Sequence, residues 1–176
     1  SAWGETLDLL NPAGTLIAST NWPAAPSDVQ RYLRVTEVMY HPRPAGGGPF
    51  TADDFEFIEL QNTGPAVLDL TGFRFSGGIG FTNSGGTLAP GAYLVLVKNL
   101  DAFASRYNTN GMPIAGIYSG SLANTGETLK VDDARGETVL EFAFKDGWHP
   151  QTDGTGFSLT MMDPAGDRNT WGDKAR

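Results

Sequence analysis

The sequence predicts an all-β protein in which two sheets pack face to face. The chain of 176 residues contains 23 glycines and 11 prolines, and these turn-forming residues separate short segments typical of strands. Its hydrophobic fraction of 40% is enough for a core, and its length fits one domain rather than two. Short strands separated by frequent turns are best accommodated by a β-sandwich, here with a single helix among them.

The predicted strands follow one another from residue 33 onward. LRVTEVMY, residues 33–40, alternates in polarity, so its odd-numbered residues from Leu33 to Met39 are expected on one face. Residues 41–54 contain three prolines and three consecutive glycines and must form a loop. Further strands are predicted at DFEFIEL (54–60), AVLDL (66–70), GFRFSGG (72–78) and AYLVLVK (92–98). Both faces of AYLVLVK are apolar, which places it inside a sheet.

The second half of the chain supplies one helix and the closing strands. Asn99 can cap a short helix near residues 100–107, where apolar residues recur at helical spacing. ETLKVDD and ETVLEFAFK are predicted to form a hairpin, with Gly136 at the turn position that needs a positive φ. FSLTMM, residues 157–162, closes the domain.

A phrase near the start of the chain recurs near its end. GETLDLLNPAG, residues 4–14, aligns without a gap on GFSLTMMDPAG, residues 156–166, and Trp22 follows the first phrase as Trp171 follows the second. We interpret this as one closing element present twice, as expected in an array of domains. The alternative is chance recurrence in a β protein rich in Gly and Thr. On the first interpretation, residues 1–26 are a closing strand or linker that resembles the end of an upstream repeat. The main domain occupies residues 27–176, and the segment 1–26 either packs on it or does not.

The charge balance argues against several classes of partner. The 12 basic and 20 acidic residues give a net charge of −8, spread along the chain, which repels phosphate backbones and anionic membranes. We therefore expect no nucleic-acid partner. No apolar run approaches the roughly 18 residues that cross a bilayer, so no membrane insertion is predicted. The absence of cysteine excludes disulfides, thiolate metal sites and a cysteine nucleophile.

Several phrases occur in the order found in a known family. They are TEVMYHP (36–42), EFIELQNTG (56–64), LDLTGFRF (68–75), LAPGAYLVL (88–96), LANTGETLKVDD (122–133), and GFSLTMMDP with NTW at the end. Together they resemble the lamin tail domain, found at the C-terminus of nuclear lamins and in large exported bacterial proteins, and the resemblance covers about residues 31–171. Two departures are conservative for packing: the family's Asn-Glu-Ile start is here Thr36, Glu37 and Val38, and its usual Trp is Phe57.

The resemblance implies an immunoglobulin-like β-sandwich with Greek-key topology and a non-catalytic role. We expect a binding or spacing module of a larger secreted or cell-surface bacterial protein, with neighbouring domains of the same chain and cell-surface proteins as partners. An exposed sheet edge would accept a strand from a neighbour, and residues 1–26 are the candidate strand. The alternative is a carbohydrate-binding accessory module of a polysaccharide-degrading enzyme.

One pair of residues is a candidate for acid–base chemistry. Glu37 and Glu59 each lie on an apolar-patterned strand face, and if their strands pair, the carboxylates come close and one pKa rises, as a general acid and base require. The alternative is that both accept hydrogen bonds from backbone or Arg at the edge of the sandwich, and their match to positions characteristic of the family favours it. No G-x-S-x-G, H-E-x-x-H or Walker motif occurs. We therefore predict no catalytic residue and no enzyme.

Two aspartate pairs could supply oxygen ligands to calcium. They are Asp53 with Asp54 and Asp132 with Asp133, and neither follows the EF-hand spacing. The alternative is that they are solvated carboxylates in turns. We predict no metal site and no cofactor, and leave calcium open.

Aromatic residues in loop-like contexts are the candidate ligand-binding residues. They are Trp148, Trp22 and Trp171, with His149 beside the first. An exposed indole stacks well on a sugar ring or on an apolar partner surface. The alternative for Trp22 and Trp171 is that they anchor the chain as it leaves each module. A glycan binder would expose two or three coplanar aromatic rings, whereas a spacer would bury Trp22 and Trp171.

Overall fold

The computed structural model describes residues 3–174, which form thirteen strands and two α-helices. In chain order these are β1 (Glu5–Leu10), β2 (Leu16–Trp22), α1 (Asp28–Tyr32), β3 (Leu33–Met39), β4 (Phe57–Asn62), β5 (Leu68–Asp69), β6 (Arg74–Gly77), β7 (Phe81–Thr82), β8 (Thr87–Leu88), β9 (Tyr93–Val97), α2 (Leu100–Arg106), β10 (Ile114–Ile117), β11 (Thr128–Asp132), β12 (Thr138–Ala143) and β13 (Leu159–Thr160). Single 3₁₀ turns lie at Asp53–Phe55, Asp146–Trp148, Pro150–Thr152 and Arg168–Thr170.

Two sheets form the sandwich. One has five strands in the order β10-β9-β4-β3-β13, and the other has four in the order β12-β11-β6-β7. All neighbouring strands are antiparallel except β10 and β9, which are parallel. The predicted all-β, immunoglobulin-like sandwich is confirmed.

The core lies between the inner faces of these sheets. Ile58 and Leu96 from the five-stranded sheet belong to the same buried cluster as Leu129 and Val131 of β11. Burying each such side chain contributes about 1.5–3 kcal/mol relative to leaving it exposed. The inner face of the β11–β12 hairpin is therefore an integral part of the core.

The one helix predicted from the sequence is confirmed as α2. The Asn99 side chain accepts hydrogen bonds from the backbone N–H groups of Asp101 and Ala102, which caps the helix as expected. Phe103 of this helix packs on the outer face of the five-stranded sheet, against Phe57 and neighbouring residues. Within residues 3–174, neither α2 nor any other helix is long and apolar enough to cross a membrane.

A second helix, α1, has no counterpart among the predicted elements. Ser27 and Gln30 form a capping box around its first turn. Ser27 also donates to an Asp133 carboxylate oxygen at 3.1 Å, and the buried Gln30 amide donates to the carbonyl of Thr138 at 3.1 Å. This short helix therefore ties the start of the domain to the β11–β12 hairpin.

The strand β3 does not keep the single alternation expected of it. Its pairing with β4 shifts between Val35 and Glu37, so two residues on β3 oppose one on β4. Beyond this bulge the faces exchange: Val38 and Tyr40 join Val35 in the core, and Glu37 turns outward. The expectation that the odd-numbered residues share one face is wrong beyond Val35, because a bulge does not show in the polarity pattern.

The strands β1 and β2 form a hairpin that belongs to neither large sheet. They pair only with each other, and every residue of both strands is exposed. At the base of the hairpin, the Arg168 guanidinium lies 3.8 Å from the centroid of the Trp3 ring. Residues 1–26 thus contain two strands rather than the single closing strand expected, and their origin in an upstream repeat stays a prediction.

Loss of a leucine should destabilise the β11–β12 hairpin much more than the β1–β2 hairpin. Leu129→Ala removes a fully buried side chain and should lower the free energy of unfolding by about 2–5 kcal/mol. Leu7→Ala removes a side chain that is 56% exposed and should change it by less than about 0.5 kcal/mol. Urea denaturation of both variants measures the difference, and equal losses would contradict the assignment of the core.

Candidate functional site

An apolar groove opens between β12 on one sheet and β3 and β13 on the other. Its volume is about 290 Å³. Three of the four predicted binding residues, Trp148, His149 and Trp171, line it. The rest of its wall is mainly apolar and includes Phe142, Phe144, Leu159, Met161 and Met162. The fold therefore brings most of the predicted site together.

Trp171 forms the inner wall of this groove. It is 2% exposed, and its indole Nε1 donates a hydrogen bond to the Val35 carbonyl at 2.8 Å. The guanidinium carbon of Arg34 lies 5.8 Å from the centroid of its ring. A buried indole whose N–H is satisfied inside the protein has the environment of a structural anchor.

Of the predicted binding residues that line the groove, Trp148 and His149 are the accessible ones. Trp148 is half-buried at the end of a 3₁₀ turn, and His149 is exposed, with its Nε2 atom 3.3 Å from the Lys174 carbonyl oxygen. Trp22 lies on the β1–β2 hairpin, is 60% exposed and does not line the groove. A spacer was expected to bury both Trp22 and Trp171, and only Trp171 is buried.

Glu37 and Glu59 face each other across β3 and β4, as the strand pairing was expected to place them. Burial raises the pKa of Glu59, a hydrogen bond from Thr36 to its carboxylate at 2.8 Å opposes that rise, and the charge of Glu37 adds to it. Glu37 in turn accepts a hydrogen bond from the hydroxyl of Ser158. Each carboxylate thus accepts a hydrogen bond, as the structural alternative expected, but from a hydroxyl rather than from backbone or Arg, and on inner strands rather than at a sheet edge.

A third glutamate, Glu56, is fully buried and did not appear among the sequence candidates. One of its carboxylate oxygens accepts hydrogen bonds from the Tyr118 hydroxyl at 3.0 Å and from the Leu122 backbone N–H at 2.9 Å. Burial raises the pKa of Glu56 to about 7, against the effect of these two donors. Its alternation with Ile58 and Leu60, both core residues, was the sequence signal that could have found it.

The comparison with protein families decides the identity of this fold. The family model described as the Lamin Tail Domain matches residues 26–146. The chain belongs to the lamin tail domain family. This is a family of immunoglobulin-like, non-enzymatic domains associated with protein interaction. No curated protein and no solved structure matches the chain.

The four predicted binding residues all lie outside the part that matches the lamin tail domain. Trp22 precedes residue 26, and Trp148, His149 and Trp171 follow residue 146. The groove therefore combines residues on β3 and β12 that lie within the family match with residues that lie outside it. Family membership alone assigns no role to these four side chains, and their role in binding stays a prediction.

Three of the four aspartates considered for calcium, Asp54, Asp132 and Asp133, are held within turns and ion pairs of this lamin tail domain. Asp54 accepts from the backbone N–H and the hydroxyl of Thr51, each at 2.8 Å. Asp132 accepts from the Ser76 hydroxyl at 2.6 Å, with the Lys130 ammonium at 3.7 Å. Among residues 3–174, no group of three His, Asp or Glu side chains could hold a metal ion. A role for calcium stays untested.

Glu56 should make stability depend on pH with a defined sign. Its pKa in the folded chain, about 7, lies above the ordinary value of 4.5, so the folded state binds this proton more tightly than the unfolded state. The stabilisation is complete below pH 4.5 and is lost as the pH rises through 7. The full loss is on the order of 3 kcal/mol.

Glu56→Gln tests this dependence, because Gln keeps an oxygen for the two donors and does not ionise. Between about pH 5 and about pH 8, the free energy of unfolding of the wild-type chain should fall relative to that of this variant. Urea denaturation at both pH values measures the change, and Glu141→Gln on the exposed side of β12 is the matched control. A pH-independent difference between wild type and Glu56→Gln would show that Glu56 does not titrate in this range.

Proposed function

We propose that this lamin tail domain is a non-catalytic interaction and spacing module of a larger secreted or cell-surface bacterial protein. The observation that supports it best is the β1–β2 hairpin, whose six large apolar side chains are each more than half exposed: Leu7, Leu9, Leu10, Leu16, Ile17 and Trp22. Large apolar side chains that are exposed together on one small hairpin mark a site of contact with a partner. The module acts by offering that surface to a neighbouring domain or to a protein of the cell surface.

A non-catalytic role agrees with the state of the carboxylates. Glu37 and Glu59 each accept a hydrogen bond from a hydroxyl, and Glu56 is buried in the core. A general acid or base needs to reach a substrate proton at hydrogen-bonding distance. Glu56 therefore cannot reach a substrate, and Glu37 and Glu59 do not open together onto one cleft, since only Glu37 lines the groove.

The alternative function is carbohydrate binding by an accessory module of a polysaccharide-degrading enzyme. Two observations favour it: Trp148 is half-buried at the groove, and Met162 beside it is 81% exposed. The groove volume of about 290 Å³ is close to the lower end of the range of small-molecule sites, roughly 300 Å³. A sugar ring would stack on the indole of Trp148.

Tryptophan fluorescence distinguishes the two functions. The chain is titrated with a panel of neutral and acidic polysaccharides, with calcium and again with chelator. The interaction module should give a flat response, since its partner is a protein surface. A saturable change that is lost in Trp148→Ala and kept in Trp22→Ala would establish the carbohydrate-binding alternative, and its loss with chelator would place calcium in the site.

A further inference from the structure

The β1–β2 hairpin is a second copy of the β11–β12 hairpin. GETL at residues 4–7 recurs as GETL at residues 126–129, and the two segments align without a gap until Trp22 falls on Phe144. The strands coincide along this alignment, with β1 on β11 and β2 on β12. The correspondence therefore includes both strands and the turn between them.

The two turns have the same geometry. The side-chain oxygen of Asn11 accepts from the backbone N–H groups two and four residues later, each at 2.9 Å, and Asp133 does the same at 2.9 and 3.0 Å. Gly14 and Gly136 occupy the same turn position with φ of 80° and 84°. A positive φ at this position favours Gly, so both sequences satisfy the same backbone requirement.

The pairing irregularity is shared as well. The register of β1 with β2 shifts between Leu9 and Leu10, and that of β11 with β12 shifts between Val131 and Asp132, which are the aligned positions. A β-bulge at one place in a short hairpin is a specific feature and not a consequence of strand propensity. The likeness therefore extends beyond a common turn motif.

The correspondence noted between residues 4–14 and 156–166 is less complete. Residues 156–166 share the strand start and the Pro-Ala-Gly turn, but β13 has only two residues and no second strand follows it. The hairpin at 126–144 shares both strands, the turn and the bulge with residues 4–22, although the sequences are identical only at GETL and the turn glycine.

The two hairpins differ in whether another sheet packs on their apolar face. Leu129 and Val131 are 0% and 1% exposed, whereas Leu7 and Leu9 at the aligned positions are 56% and 59% exposed. In β11–β12 this face packs on the five-stranded sheet, and the edge of β11 pairs with β6. The β1–β2 hairpin has neither contact, and an isolated two-stranded hairpin is marginally stable in water at best.

The opposite face of the β1–β2 hairpin is polar over Thr6, Asp8, Ser19 and Asn21, and the apolar pair Leu10 and Leu16 lies at its turn end. Thr6 donates to Asn21 at 2.6 Å and Ser19 donates to Asp8 at 2.5 Å, in register across the two strands. One apolar and one polar face are what a strand pair on the outside of a sandwich requires. The hairpin is built for a sheet that is covered on one side.

We propose that residues 4–22 form the last hairpin of a preceding lamin tail domain, in which β1 pairs along a strand equivalent to β6 and its apolar face completes the core. This inference rests on the proposed interaction module and names its partner as a second copy of the same fold. The family match to this domain ends at residue 146, just past Phe144, and begins at residue 26, just past Trp22. The two modules therefore abut almost without a linker, and the Trp3–Arg168 contact holds the preceding module against this one.

A tandem chain tests the proposal. Residues 26–125 are followed directly by residues 4–176, so that residues 4–22 take the place of 126–144 in the added copy. A Cβ atom on Gly77 would lie 3.3 Å from the Lys130 Cβ, within a few tenths of an ångström of disulfide spacing. Asp8 occupies the Lys130 position in the alignment, and the chain contains no cysteine that could interfere.

The tandem therefore carries Gly77→Cys in the added copy and Asp8→Cys in the hairpin. The expected result is loss of both free thiols on mild oxidation, with faster migration on a non-reducing gel. Ser19→Cys in place of Asp8→Cys is the matched control, because Ser19 lies on β2, one strand further from β6. Gly77→Cys with Lys130→Cys in the single chain is the positive control.

Two results would overturn the proposal. One is no more cross-linking with Asp8→Cys than with Ser19→Cys while the positive control cross-links. The other is failure of the added copy to fold, whether it ends in residues 4–22 or, in a second tandem, in its own residues 126–144, since the proposal requires a domain that closes at this hairpin. If the cross-link fails and the polysaccharide titration is flat, this proposal is wrong and the proposed non-catalytic module has a different neighbour. If the titration is saturable, the proposed function is contradicted, whether or not the cross-link forms.

Discussion

Covering the apolar face of a two-stranded hairpin is the constraint on which this structure depends. In β11–β12 the five-stranded sheet provides that cover, and Leu129, Val131 and Leu140 become fully buried parts of the core. The hydrogen bonds of a hairpin add little net stability in water, so the burial of this face holds the strands in place. The β1–β2 hairpin has the same turn and the same bulge, but no sheet packs on its apolar residues. These residues are therefore available to bind a partner.

Several local features serve this packing. The bulge in β3 turns Val38 and Tyr40 toward the core, where Tyr40 packs on Phe144 with ring centroids 5.0 Å apart. The capping box of α1 bonds to the β11–β12 turn through Asp133. The indole of Trp171 closes the open side of the sandwich by its bond to Val35. The apolar groove remains on that side, and it is lined by residues from both within and beyond the family match.

Much of the fold could be predicted because its signals are local. The Asn99 cap specifies α2, and Gly136 specifies the β11–β12 turn, so neither needs knowledge of distant residues. The sequence also placed Glu37 opposite Glu59 once their strands were paired. The bulge in β3, the burial of Glu56 and the position of Trp171 depend on contacts between distant segments, so their origin lies outside any local pattern. The relation of the two hairpins shows in the sequence only as the repeated GETL, because the shared bulge appears only in the pairing of β1 with β2 and of β11 with β12.

Hydrogen–deuterium exchange on the single chain tests the central claim most directly, because it compares two hairpins of the same design that differ in their cover. Amides in the ladder of β11 and β12 should exchange only on global unfolding, since they lie in the core of the sandwich. Amides in the ladder of β1 and β2 should exchange close to the rate of an unfolded chain. Equal protection of both hairpins would contradict the account, because it would mean that β1–β2 is already covered or is stable without a partner.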